Sequence, residues 1–215
     1  SRYIKSKNKK KIDFIQRKSF ELCLFLSLPA SMALIVGADE ITSALFGYGA
    51  FDSSSVLNSS KALYFFAFGL PAFAVIKVFS TFLFARGDTK TPFYYSLLSV
   101  LINISISLIF FPEFGFIIIP IATTISSWIN ALLLFIKLSL NNHFQIKNIL
   151  NGPNLKIILV SAISIYIFSV LIKLFEKYLV YGSDLKLFTI IAIVGATILI
   201  YILISILTKT FKYSD

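Results

Sequence analysis

The sequence is poor in the residues with which soluble enzymes and secreted domains do their chemistry. Its 215 residues include one cysteine, one histidine, one methionine and one tryptophan. Cys23 stands alone inside an apolar run, so neither a disulfide framework nor a thiolate metal site is available. His143 falls in a connecting segment and reads as a solvated loop residue. There is no phosphate-cradling glycine loop, no nucleophile elbow and no HExxH motif. A membrane-embedded enzyme would need paired carboxylates, a nucleophile with its base or a set of metal ligands within the apolar runs, and none is visible, so the sequence calls for no cofactor and no metal. A cleavable signal peptide is also lacking. The chain opens at Ser1 without a methionine, which reads as a fragment of a longer chain.

What is present is hydrophobic. Apolar residues make up 57% of the chain and charged residues only 14%, with a mean hydropathy of +0.86, too apolar for a soluble domain of this size. The apolar residues come in blocks near the roughly 20 residues that a helix needs to cross a hydrocarbon core of about 30 Å. Six blocks can be read: 20–36 with a short continuation over 41–46, 62–85, 93–111, 116–136, 157–172 and 187–207. Period-two alternation is absent, and an open sheet leaves its backbone unsatisfied in lipid, so all six are helices. The expected fold class is an all-α polytopic membrane protein with six transmembrane helices. Pro112 to Gly115 leaves room only for a tight turn and predicts an antiparallel hairpin of the third and fourth helices. Pro71, after Gly69, predicts a kink in the second.

Basic residues set the orientation. Of the 20 lysines and arginines, 15 lie before helix one, between helices two and three, between four and five, or after six. Four lie in the alternate segments, namely Lys61, Lys173, Lys177 and Lys186, and Lys77 lies within a helix. This bias places both ends of the segment in the cytoplasm. The net charge of +10 needs no nucleic acid, because the basic stretch 2–18 abuts a span and suits anionic lipid headgroups. The domain reading is a basic cytoplasmic segment over 1–18, a four-helix block over 19–140, and a loop with a terminal helix pair over 141–215.

Polar residues inside the spans are the candidates for function. Ser96, Ser99, Asn103 and Ser107 share one face of helix three, and Thr123, Ser126, Ser127 and Asn130 share one face of helix four. Two readings stand: hydrogen-bond glue between helices, or the lining of a water-accessible cavity. Helices five and six lack a comparable stripe and should be more lipid-exposed. Lys77 is a sharper signal. Nine residues before Arg86, it lies roughly 13 Å from the cytoplasmic end at about 1.5 Å per residue, where a charge costs about 2.5–3.5 kcal/mol to insert. Either it faces a cavity, or its stem bends to the inner interface or pairs with Ser80 and Thr81. Asp39 and Glu40, near the outer end of helix one, read as interfacial.

The elements Leu45-Phe46-Gly47-Tyr48-Gly49-Ala50-Phe51, Gly69-Leu70-Pro71-Ala72-Phe73 with Lys77, and Ala85-Arg86-Gly87-Asp88-Thr89-Lys90-Thr91-Pro92 occur in series. With Leu28-Pro29-Ala30 before them, and Asn103 and Trp128-Ile129-Asn130-Ala131 after them, they resemble the MurJ (MviN) lipid II flippase family over about half the chain, from Ser19 to Lys137. The last third matches that family only in hydropathy and helix count. The resemblance implies a fourteen-helix protein of the multidrug, oligosaccharidyl-lipid and polysaccharide exporter superfamily, built as two six-helix lobes and a terminal pair. This segment would supply the last four helices of the second lobe and the terminal pair, and eight helices would lie elsewhere in the same protein. It further implies alternating access in the bacterial cytoplasmic (inner) membrane, with lipid II and membrane lipids as partners and no nucleic acid. The diphosphate headgroup would meet cations and donors, for which Lys77, Asn103 and Asn130 are the substrate-binding candidates. Arg86, with Lys90, would attract the anionic headgroup or merely enforce topology. Asp88, Thr89 and Thr91 before Pro92 read as turn and helix-capping chemistry. A related exporter of lipid-linked polysaccharide or drugs, and a non-transporting membrane scaffold, are the alternative readings.

Overall fold

The computed structural model describes residues 9–149, 151–183 and 185–210, and these are helical throughout apart from short connections. The helices are α1 (Lys9–Val36), α2 (Ala38–Phe46), α3 (Ser53–Ala67), α4 (Leu70–Phe84), α5 (Lys90–Phe114), α6 (Ile118–Leu140), α7 (Gly152–Leu174), the single turn α8 (Glu176–Leu179) and α9 (Lys186–Leu207). Among the described residues five stretches are long and apolar enough to cross a bilayer, at 10–36, 53–84, 90–140, 152–174 and 186–207. The 51-residue stretch is the α5–α6 hairpin. Counted as two helices, it brings the spans into line with the six apolar blocks of the sequence. The chain is a multi-pass, all-α membrane protein.

The breaks between helices fall where side-chain and backbone chemistry put them, not always where the hydropathy does. Gly37 interrupts the first span, and a ring from α7 packs against it: a Cβ there would lie 2.8 Å from Phe168 Cε1. Asp39 and Glu40 then occupy the first turn of α2, where carboxylates complement the helix N-terminus. The second span begins nine residues earlier than the apolar block does, because Asp52 caps α3 by accepting from the Ser55 N–H at 2.8 Å. The disruption expected from Pro71 falls in the turn before it, at Phe68 and Gly69, which keep right-handed helical dihedrals, and Pro71 sits in the first turn of α4, where its missing N–H is tolerated. Residue 71 being proline, the Ala67 carbonyl lacks the donor that an unbroken helix would give it. The Ser31 hydroxyl of α1 donates to that carbonyl at 2.6 Å. The turn expected over 112–115 lies slightly later: α5 continues through Pro112, and Gly115 at φ +60° starts a 3₁₀ turn over Gly115–Ile117.

The chain divides into two compact units. One comprises Ser1–Ser27 with Gly69–Leu155. Its core is aromatic: Phe20 stacks on Phe79 with ring centroids 5.7 Å apart, and Phe144, from the segment after α6, lies 5.4 Å from each of them. Ala72, Leu83, Leu134 and Leu138 complete it. Lipid is as apolar as these side chains, so the cluster holds by close packing and not by escape from water.

The other unit comprises Leu28–Phe68 with Lys156–Asp215. Ala44, Phe168, Ile172, Leu179, Ile190 and Ile193 form its core. Contrary to the sequence reading, α7 and α9 do carry small polar stripes: Ser161 and Ser164 are buried on α7, and Thr197, Tyr201 and Ser205 on α9. The stripes are short and set among apolar residues such as Val160, Ala162, Ile163, Ile198 and Ile204, so they do not stand out from the hydropathy.

Candidate functional site

The sequence candidates all fall in the unit built from α4, α5, α6 and the first part of α1. Lys77 is midway along α4 and exposed. Thr81, one turn on, bonds the Lys77 backbone carbonyl at 2.8 Å, and among the described residues nothing bonds the Lys77 ammonium. Two grooves flank α4, and Lys77 lines both. One, of about 530 Å³, runs along α1 past Ser19, Cys23 and Ser27. The other, of about 680 Å³, runs along α5 past Ser80, Thr89 and Ser96. Neither includes Asn103, Asn130 or Arg86.

The stripes of α5 and α6 meet each other. The Ser99 hydroxyl donates to the Ser126 carbonyl at 2.8 Å, and the Asn103 amide nitrogen donates to Thr123 Oγ1 at 2.8 Å. Thr123 in turn donates to the Ile119 carbonyl, also at 2.8 Å. Residue numbers rise on one helix as they fall on the other, so the hairpin is antiparallel. Of the two readings of these stripes, glue between helices describes Ser99, Asn103 and Thr123. Ser96 instead opens onto the Lys77 groove. Asn130 is buried, and its Oδ1 finds no partner among the described residues. Replacing Asn103 with leucine is expected to cost only about 0.6 kcal/mol, the average for a hydrogen bond between membrane helices. Unfolding in mixed micelles would measure it.

Arg86 is held by its surroundings at the end of the second span. Its Nη1 donates to the Phe82 carbonyl at 2.8 Å. With the buried Gln16 amide oriented as its neighbours require, its oxygen accepts from both terminal guanidinium nitrogens at 3.1 Å and its nitrogen donates to the His143 carbonyl at 2.9 Å. Burial pulls the Arg86 pKa below its ordinary value, and the nearby Asp13 carboxylate offsets part of that. His143 is therefore not the solvated loop residue expected: it is partly buried, and desolvation, followed by the Arg86 charge, holds its imidazole below the usual value. Gln16 escaped sequence reading because a lone glutamine in a basic stretch carries no signal of burial.

Asp88 caps α5 as expected. Its carboxylate accepts from the Thr91 N–H at 3.0 Å and from the Thr91 hydroxyl at 2.7 Å, with Gly87 at φ +83° making the turn before it. These bonds hold the Asp88 carboxyl below the ordinary carboxylate range. A folded-state pKa below the unfolded one stabilises above the ordinary value of about 4 and is lost as pH falls through the lowered value. Asp88→Asn is expected to flatten this acid limb of a thermal-stability profile, because an amide does not titrate there.

In the second unit, a groove of about 620 Å³ runs between α7 and α9, lined by Leu171, Phe175, Tyr178, Phe188, Ala192 and neighbouring side chains, nearly all apolar.

The described residues combine a polytopic helical architecture, an exposed cation midway along a groove-lining helix, and an apolar groove between α7 and α9. Residues 1–190 match the model of the family described as "Lipid II flippase MurJ", and the chain belongs to that family. It is 40% identical over 130 residues to a probable lipid II flippase MurJ of Rhizobium meliloti, covering 60% of this chain and 24% of the relative. It is 30% identical over 148 residues to the lipid II flippase MurJ of Thermosipho africanus, covering 64% and 31%. A solved structure titled "Lipid II flippase MurJ, inward closed conformation" superposes with a TM-score of 0.72 at 28% identity, covering 95% of this chain and 41% of that one. The structural match thus reaches α7 and α9, which the sequence motifs did not. The chain spans about a quarter of the length of the curated relatives it matches.

Proposed function

We propose that this chain forms the C-terminal part of a flippase that moves lipid II, the lipid-linked peptidoglycan precursor, from the inner to the outer leaflet of the bacterial cytoplasmic membrane by alternating access. Residues 19–140 would belong to the second lobe and 141–215 to the terminal appendage, with both ends of the segment cytoplasmic and eight further helices completing the protein. The observation that carries this reading is Lys77, whose ammonium has no bonding partner among the described residues, midway along an apolar helix and between two grooves, in a chain that belongs to the family. Intramembrane charges face cavities or partners because lipid does not solvate them. A diphosphate headgroup, leaving water, needs such a cation.

In this reading Lys77 contacts the headgroup, and Asn130, buried on α6 in this conformation, reaches it only when the helices move during the alternating-access cycle. Asn103 holds α5 to α6 at the wall of the cavity. Arg86, fixed by Gln16 and Phe82, presents positive charge at the cytoplasmic mouth. The apolar groove of α7 and α9 takes the polyprenyl tail, which stays in lipid while the headgroup crosses. Translocation breaks no covalent bond, so the protein is not an enzyme and needs no catalytic residue. The test is a chimaera in which residues 9–210 replace the corresponding helices of a working flippase. Restored growth of a flippase-depleted strain, with transfer of fluorescent lipid II in proteoliposomes, is the expected result. A chimaera that inserts stably and moves no lipid II would overturn the reading.

A further inference from the structure

Lys186 opens α9 and counts in the sequence as an outer-face lysine. In the structure its side chain is fully buried, with 0% of the residue exposed. Its Nζ donates to the Gly47 carbonyl at 2.5 Å and lies 4.1 Å from the centroid of the Tyr48 ring and 5.0 Å from that of Tyr181. Among the described residues no carboxylate pairs with it. A buried ammonium without a counter-ion is costly, and here a carbonyl dipole and two ring faces take the place of one.

The loop between α2 and α3 is shaped for this contact. Gly47 admits the ammonium because it has no side chain: a Cβ would lie 2.6 Å from the Ser43 carbonyl oxygen and 3.0 Å from Lys186 Nζ. Gly49, at φ +59°, turns the chain through the left-handed region. Phe51 offers its carbonyl to the Tyr181 hydroxyl at 2.9 Å. The glycine-rich element picked out in the sequence is thus the socket for a lysine 139 positions further on.

The socket has a consequence for α9. Lys186, Ile190, Ile193, Thr197 and Tyr201 are buried along one face, while Leu185, Phe188, Thr189, Ala192 and Ala196 line the apolar groove along with Ile193, at the same helical spacing. A helix gripped by its first residue resists rolling about its axis, so the grip determines which face meets the groove. We propose that Lys186 is a positioning residue: seated in the Gly47–Tyr48–Tyr181 socket, it holds α9 in the rotational register that presents the groove face to a polyprenyl chain. This rests on the tail-groove reading given above.

The test uses a full-length flippase carrying this segment, reconstituted in phosphatidylglycerol-containing vesicles with a diazirine-bearing polyprenyl diphosphate, with labelled residues mapped by mass spectrometry. The unaltered protein is expected to take label at Leu185, Phe188 and Ala192. K186M and Y48L should each lower that labelling by about tenfold or more, the scale of a desolvated cation–π contact. Y48F, which keeps the ring, should label as the unaltered protein does. Absence of label in the unaltered protein would overturn the groove reading itself. Normal groove labelling in K186M and Y48L would overturn the role of Lys186 alone. If K186M fails to fold, Y48L and Y181L, which leave the lysine in place and each remove a ring from its socket, decide the matter: lowered labelling supports the role of Lys186 and normal labelling overturns it.

Discussion

Replacing Lys77 with methionine in a full-length flippase carrying this segment is expected to reduce lipid II translocation by about tenfold or more, the equivalent of losing one charge-assisted hydrogen bond of about 1.5–3 kcal/mol. Protein level and membrane insertion should hold or improve. Two effects pull in opposite directions, and their opposition makes the experiment decisive. Methionine keeps an unbranched stem that can lie along the grooves beside Ser19 and Ser96, and it removes a charge that costs about 2.5–3.5 kcal/mol to place in the bilayer. A lysine retained for stability would therefore show its loss as a fall in protein level. One retained to meet a diphosphate shows it as a fall in transport with protein level intact. The exposed ammonium, with nothing bonded to it among the described residues, favours the second outcome. Lys77→Arg should keep part of the activity, since charge is preserved while a point donor becomes a planar fork. Quantitative immunoblotting beside a fluorescent lipid II transfer assay separates the cases, and transport at the unaltered rate in Lys77→Met would remove this residue from the headgroup site.

The helices were legible in the sequence because each is a long apolar run, and in a membrane the only alternative to a helix is a closed barrel. Their interruptions were less so. Gly37 lies at the interruption of the first span, with the Phe168 ring in the space a Cβ would take, a contact with a residue 131 positions away that no local window contains. The early start of α3 could have been read from Asp52-Ser53-Ser54-Ser55, an N-cap signature that the weak hydropathy of 53–61 obscured. Lys77 stood out in the sequence because a charge amid apolar residues is conspicuous. Lys186 did not, because it sits where a span begins, and there a lysine is ordinary. Residues 45–51 carry the family resemblance as a string of residues, while the contact they make, a backbone carbonyl and a ring face offered to a distant ammonium, exists only in the fold.

The other large effect expected concerns Ser31 and Pro71. Ser31→Ala leaves the Ala67 carbonyl buried without the donor that now lies 2.6 Å from it, and an unsatisfied buried acceptor costs about 1–3 kcal/mol. The cost arises only because residue 71 is proline. An alanine at that position supplies an N–H to the carbonyl four residues back, the bond of an uninterrupted helix. Ser31→Ala should therefore be markedly destabilising in the native background and nearly neutral in a Pro71→Ala background. That gives a coupling energy about the size of the single effect and opposite to it in sign. Unfolding in mixed micelles of the unaltered protein, the two single variants and the double variant measures it. Equal costs of Ser31→Ala in both backgrounds would mean that the proline does not create the vacancy that Ser31 fills. Retained coupling, followed by transport assays of the Pro71→Ala protein, would then show whether the break between α3 and α4 serves movement as well as fold, because that variant restores a continuous hydrogen-bond ladder while leaving Lys77 and both of its grooves in place.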